Sequence, residues 1–145
     1  MPPTAARVDP LRNFNYAVEL DDITQAGFTE CSGFGSTTEP VEYNEGGLNS
    51  HSRKFVGRTK QNNIVLKWGT TDSTELYDWY QQTLDGQIER KNGSIILFDN
   101  AGEEKARWDF FRAWPTRWDG PALSASGNEV AIETLEIAHE GLTRA

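Results

Sequence analysis

Cys31, His51 and His139 are the residues whose types could carry nucleophilic chemistry, because a reactive thiol needs a base and the base needs a group to orient it. The chain has one cysteine and two histidines in 145 residues. Cys31 stands in Cys31-Ser32-Gly33-Phe34-Gly35-Ser36 at the end of a strand-like run, and neither histidine lies in a segment that looks like part of a triad. A small half-buried thiol is the better reading. The same three residues fall short of the four protein ligands that structural zinc takes. The 22 carboxylates could by accident form a glycosidase-like acid/base pair, but no aromatic-flanked pair is evident. No catalytic residue, metal or cofactor is expected, although a small hydrolase stays open as a rival.

Glycine-rich segments and tryptophans offer binding chemistry instead. Gly33-Phe34-Gly35 lacks the third glycine and the helical continuation of a dinucleotide fingerprint, so it reads as a connection between strands. The five tryptophans could stack on sugars or single-stranded nucleic acid. Trp68, Trp79, Trp108 and Trp114 fall on inward-looking positions, and core packing is the default for them. Trp118, between Arg117 and Asp119 in a Pro115 to Pro121 connection, is the one expected at an interface. A monomeric carbohydrate-binding β-sandwich is the alternative that such aromatics leave open.

Charge argues against nucleic acid as the main ligand, since a net −8 repels phosphate. The distribution is uneven. Gly46 to Lys60 holds Arg53, Lys54, Arg58 and Lys60 and no acid, so the remaining residues together carry −12. Asp119 to Glu140 holds Asp119, Glu129, Glu133, Glu136 and Glu140 and no Lys or Arg. A chain with one basic and one acidic segment is suited to contacting copies of itself. No apolar run approaches the ~20 residues that span a bilayer, and the first residues lack the apolar stretch of a secretory signal. Assembly in the cytoplasm, without a membrane anchor, is the expectation.

The elements that must position these residues are mostly strands. Phe14, Tyr16, Val18 and Leu20 alternate with polar neighbours, as do Val41 and Tyr43, and Ile64, Leu66 and Trp68. Ile95 to Phe98 is apolar on both faces, which marks a central strand. Ala106, Trp108, Phe110 and Trp114 share a parity with Arg112, whose stem must snorkel out. One segment is helical, about Asp72 to Asp85: Asp72 is the expected N-cap with Glu75 at capping-box spacing, Leu76, Trp79, Tyr80, Thr83 and Leu84 share a face, and Gly86 ends it. For residues 128–139 the pattern fits strand or helix, and β-branched enrichment favours strand. The predicted fold is one domain over 1–145, mainly β, with two packed antiparallel sheets in a barrel-like sandwich and one flanking helix. Residues 1–8 are an expected mobile arm, and 44–62 an extended excursion with no core-forming period.

The order of these features resembles a known family. It is carried by Asp9-Pro10 before the first strand, Ala26-Gly27-Phe28 followed by Ser32-Gly33, Glu42-Tyr43-Asn44-Glu45-Gly46-Gly47, Ile64 to Gly69, and Trp108 to Leu142 with its Pro/Gly-bounded turn and Ala138-His139-Glu140-Gly141-Leu142. The chain resembles the inner tail-tube proteins of contractile-tailed phages and phage-tail-like extracellular injection particles. The resemblance implies a structural subunit, not an enzyme. Six copies would form a ring, and rings would stack into a hollow tube inside a sheath. Further partners would be baseplate or hub and terminator proteins, with luminal cargo or DNA passing without tight binding. It also implies that the 44–62 excursion is a hairpin reaching adjacent subunits. The expected contact residues are Gly46, Gly47, His51, Arg53, Lys54, Phe55, Arg58, Lys60, Trp118, Glu133 and Glu136.

Overall fold

In the computed structural model, which describes residues 15–24, 27–43 and 53–145, one long strand organises the domain. β7 (Glu104–Asp119) pairs through its first half with β6 (Lys91–Phe98) and β9 (Gly141–Arg144), and through its second half with β8 (Ile132–Ala138). The first leaf continues from β6 to β1 (Tyr16–Leu20), the second from β8 to β5 (Ile64–Gly69) and β2 (Phe28–Ser32). All these pairings are antiparallel.

The two leaves face each other across one core. Val18, Leu20, Ile95, Phe110 and Ala113 of one meet Ile64, Leu66, Trp68, Leu135 and Ile137 of the other. Alternation explains the membership: Ile64, Leu66 and Trp68 are buried while Val65 and Lys67 between them are not. Residues 132–138 form a strand, with Leu135 and Ile137 fully buried. The sandwich is barrel-like without being closed, because β1 and β2 approach each other without a ladder between them.

Arg112 departs from expectation. It is not a polar residue on the inner face: its φ of +53° puts the backbone in the left-handed region, and the inward parity changes there from Ala106 and Phe110 to Ala113 and Pro115. The kink lets one strand serve both leaves, as bulges do at sheet corners. Trp114 is consequently only half-buried.

Helix α1 spans Glu75–Leu84 and packs on β7. Asp72 does not cap it. The N-cap is Thr74, with no side-chain capping bond, and Glu75 instead accepts from the Thr24 amide (2.8 Å) and hydroxyl (2.9 Å), so a tertiary contact displaces the local box. Leu76 and Trp79 are buried as expected, whereas Leu84 is exposed. Gly86, at φ +79°, closes the helix with amide bonds from Gly86 to Thr83 and from Gln87 to Gln82, the Schellman pattern. No helix among the described residues is long and apolar enough to cross a membrane.

Candidate intersubunit surface

A two-stranded hairpin stands apart from the core. Among the described residues β3 (Ser36–Tyr43) pairs only with β4 (Arg53–Gln61), so the part of the 44–62 stretch from Arg53 on is one strand of a hairpin. Thr37, Thr38, Val41, Val56 and Thr59 supply β propensity, the Thr38 and Thr59 hydroxyls bond each other at 2.8 Å, and Pro40 sits on a strand with a free edge, where a missing amide is tolerated. The ladder shifts register between Thr38 and Pro40. Gly57 lies at this bulge, where an added Cβ would meet the Glu39 carbonyl oxygen at 2.6 Å.

Residues opposite each other in a ladder share a face, so register gives the tip two faces. One carries Val41 beside Phe55 and Tyr43 beside Arg53; the other carries Pro40 beside Val56 and Glu42 beside Lys54. Val41, Tyr43 and Phe55 are each about half exposed and Val56 is 86% exposed, while Tyr43 and Phe55 meet edge-on at 6.3 Å. Arg58 and Lys60 are exposed nearer the base. An aromatic patch held away from its own core is an unfinished contact.

The other expected contact residues lie elsewhere. Trp118 is half-buried, packs edge-on against Tyr77 at 4.9 Å, and donates its indole N–H to Glu133 at 3.2 Å. Glu136 accepts from the Asn63 amide at 3.1 Å. In the same acidic segment, Asp119 pairs with Arg117 (3.0 Å) and Glu140 with Arg112 (2.7 Å). These acids thus have partners in their own chain, which lowers what a neighbour's cation would add. Gly46, Gly47, His51, Phe14 and the 1–8 arm lie outside the described residues. The apolar parity of the strand from Val41 to Asn44, which one sandwich cannot bury, points to partner surface from the sequence alone, whereas Val56 on the opposite face is legible only from the ladder's register.

Among the described residues, the groups with chemical potential are structurally committed. Burial first, and the neighbouring Glu30 second, push the Cys31 thiol up to about 12, the reverse of what a nucleophile needs. His139 is 9% exposed, with Nε2 3.0 Å from the Asn62 carbonyl oxygen and its ring near Phe110. It ties the β8–β9 turn to the foot of the hairpin. Arg107 gathers Glu104 (2.7 Å), Asp109 (3.0 Å) and Glu19 (3.5 Å). The Ser94 hydroxyl, which donates to Asp109 at 2.6 Å, is the first cause of that carboxyl's lowered pKa, and Arg107 adds to it.

Similarities to known proteins bear on this surface. The family model described as T4-like virus tail tube protein gp19 matches residues 12–143. A chain in the tube-terminating cap of the anti-feeding prophage is 26% identical, with a TM-score of 0.88 over 99% of this chain and 95% of that one. A chain in the sheath-tube complex of the PVC extracellular contractile injection system, in its extended state, is 26% identical, with a TM-score of 0.84 over 94% and 91%. Hcp1 from Flavobacterium johnsoniae, 16% identical, shares the fold with a TM-score of 0.64 over 90% and 94%. No curated protein matches.

Proposed function

Since the chain belongs to the T4-like virus tail tube protein gp19 family and is a structural tube subunit, we propose that six copies close into a ring and that rings stack into a hollow tube. A related baseplate structure is six-fold symmetrised, which supports the ring size. Similar chains occur in a sheath-tube complex and in a tube-terminating cap. By that analogy a contractile sheath surrounds this tube, baseplate or hub and terminator proteins close its ends, and cargo or DNA passes through the lumen. The subunit performs no chemistry in this reading.

The observation that carries the proposal is the β3–β4 hairpin, with Val41, Tyr43 and Phe55 exposed on a ribbon whose two strands, among the described residues, pair only with each other. An isolated two-stranded hairpin is at best marginally stable in water, so a neighbouring surface is what gives this one a purpose. Arg53, Lys54, Phe55, Arg58 and Lys60 would lie in that contact with Gly46, Gly47 and His51, while Trp118, Glu133 and Glu136 would belong to the receiving side. Negative-stain microscopy of the purified protein tests this. Rings and stacked tubes are expected, and a uniformly monomeric protein at high concentration would overturn the reading.

A further inference from the structure

Among the described residues β1 pairs only with β6, and β2 only with β5, so each shows an edge without a ladder there, and the two edges flank a gap in the sandwich. The gap is a cleft of about 540 Å³ lined by Tyr16, Glu30, Cys31, Phe34, Leu97 and Trp108. Its floor is the rim of the core: Tyr16, Cys31, Phe34 and Trp108 all pack against the buried cluster while remaining partly exposed, and Phe34 lies tilted against Trp108 with ring centroids 5.4 Å apart. One molecule therefore presents both an apolar patch, on the hairpin, and a cleft whose aromatic floor is bordered by the polar Thr29, Glu30 and Ser32.

The two cannot meet within one chain. β3 begins at Ser36, two residues beyond Phe34 of the cleft, and the Asn62 amide bonds the Gly35 carbonyl at 2.9 Å, fixing the hairpin's base. At roughly 3.3 Å per residue, Val41 and Tyr43 are carried about 17–23 Å away along the strand. A patch and a cleft that are complementary but separated on one molecule make a head-to-tail contact, which gives a ring if the rotation closes and a filament if it does not. Charge is secondary to this pairing: β4 carries four cations and no acid, but Glu30 at the cleft already pairs with Lys67 at 3.4 Å, so the apolar contact has to carry it.

We propose that the β1–β2 cleft is the receptor for the hairpin of the next copy, taking up Val41, Tyr43 and Phe55 against Cys31, Phe34 and Trp108. The assignment deepens the tube reading and rests on it. The occupant completes the open side of the core, and its strands lie beside two edges that have no ladder partner among the described residues.

Cys31 is the sole cysteine of the chain and lines the cleft, so it reports on the contact directly. Phe55→Cys and, on the opposite hairpin face, Val56→Cys are assembled and oxidised with copper phenanthroline. The proposal expects a reducible ladder of dimers, trimers and larger species from Phe55→Cys, little from Val56→Cys, and none when Cys31→Ser is added. Both positions are solvent-exposed in the single chain, so circular dichroism should show native folds; if Phe55→Cys abolishes tubes while Val56→Cys keeps them, the loss supports the contact as the ladder does. Normal tubes with no ladder, or with equal ladders from both variants, would overturn the cleft assignment while leaving the tube reading in place. Disulfide-linked dimers alone would indicate a reciprocal exchange and overturn it too. Failure of the unsubstituted protein to form rings or tubes would remove the reading on which it rests.

Discussion

The Tyr16 hydroxyl donates to the Phe28 carbonyl oxygen at 2.8 Å, joining β1 to β2 where no backbone ladder does. One side-chain bond thus spans the opening between the two leaves. Tyr16→Phe keeps the ring and removes the bond, so the folded state should lose about 0.5–1.5 kcal/mol. Urea unfolding should show a lower midpoint with an unchanged slope. An unchanged midpoint would mean that the bond contributes nothing to closing the seam.

Arg112 holds the corner of β7 at positive φ, a conformation that costs a non-glycine residue roughly 1–2 kcal/mol. Arg112→Gly relieves that strain and gives up an exposed pair with Glu140 worth at most about 1 kcal/mol, so it should be neutral or mildly stabilising. Arg112→Val should be clearly destabilising. Similar melting temperatures for the two variants would show that the corner is not backbone-limited.

Gly93 is fixed by sterics on the facing strand: an added Cβ would sit 2.4 Å from Phe110 Cζ and 2.5 Å from the Glu19 carbonyl oxygen. Gly93→Ala should cost about 1–3 kcal/mol through overpacking, read as a lowered thermal midpoint.

Burial and Glu30 raise the folded Cys31 pKa from 9.0 to about 12. The contribution to stability is therefore complete below about pH 9, where the thiol stays neutral in both states, and is lost as pH rises toward 12. Iodoacetamide alkylation of the native monomer should keep accelerating through pH 11 without levelling. A plateau above pH 9 would show an ordinary, solvated thiol.

Arg53 and Lys54 set charge at the hairpin tip. Reversing both to Glu should impair tube formation and its salt dependence while leaving the monomer's melting temperature unchanged, since exposed ion pairs steer register more than affinity. Tubes that form normally at low and high salt would exclude an electrostatic role.

How much of this was legible in the sequence depended on whether a residue's partner was local. Ile64, Leu66 and Trp68 announce a core face because alternation alone buries them. Gly86 announces the helix end because only φ > 0 is needed there. Glu75 misled, since its oxygens go to Thr24, 51 residues away, rather than to its own helix. Arg112 misled because a left-handed corner normally advertises itself with glycine. β4 shows no core-forming period in the sequence because a solvent-borne ribbon has no buried face to impose one. The basic hairpin could be recognised from charge, but the cleft could not, as Tyr16, Cys31 and Trp108 converge only when three distant strands are in place.

The same topology sets an order of events during synthesis. Tyr16 pairs opposite Leu97, so at ~5–20 residues per second β1 waits on the order of 4–16 s for its partner strand to be made. The β3–β4 hairpin needs only itself and is finished while β6 and β7 are still untranslated. Trp108, the last wall of the cleft, arrives later still. A nascent chain can therefore offer its arm long before it can receive one, and two half-made chains on the same message have no completed socket with which to capture each other.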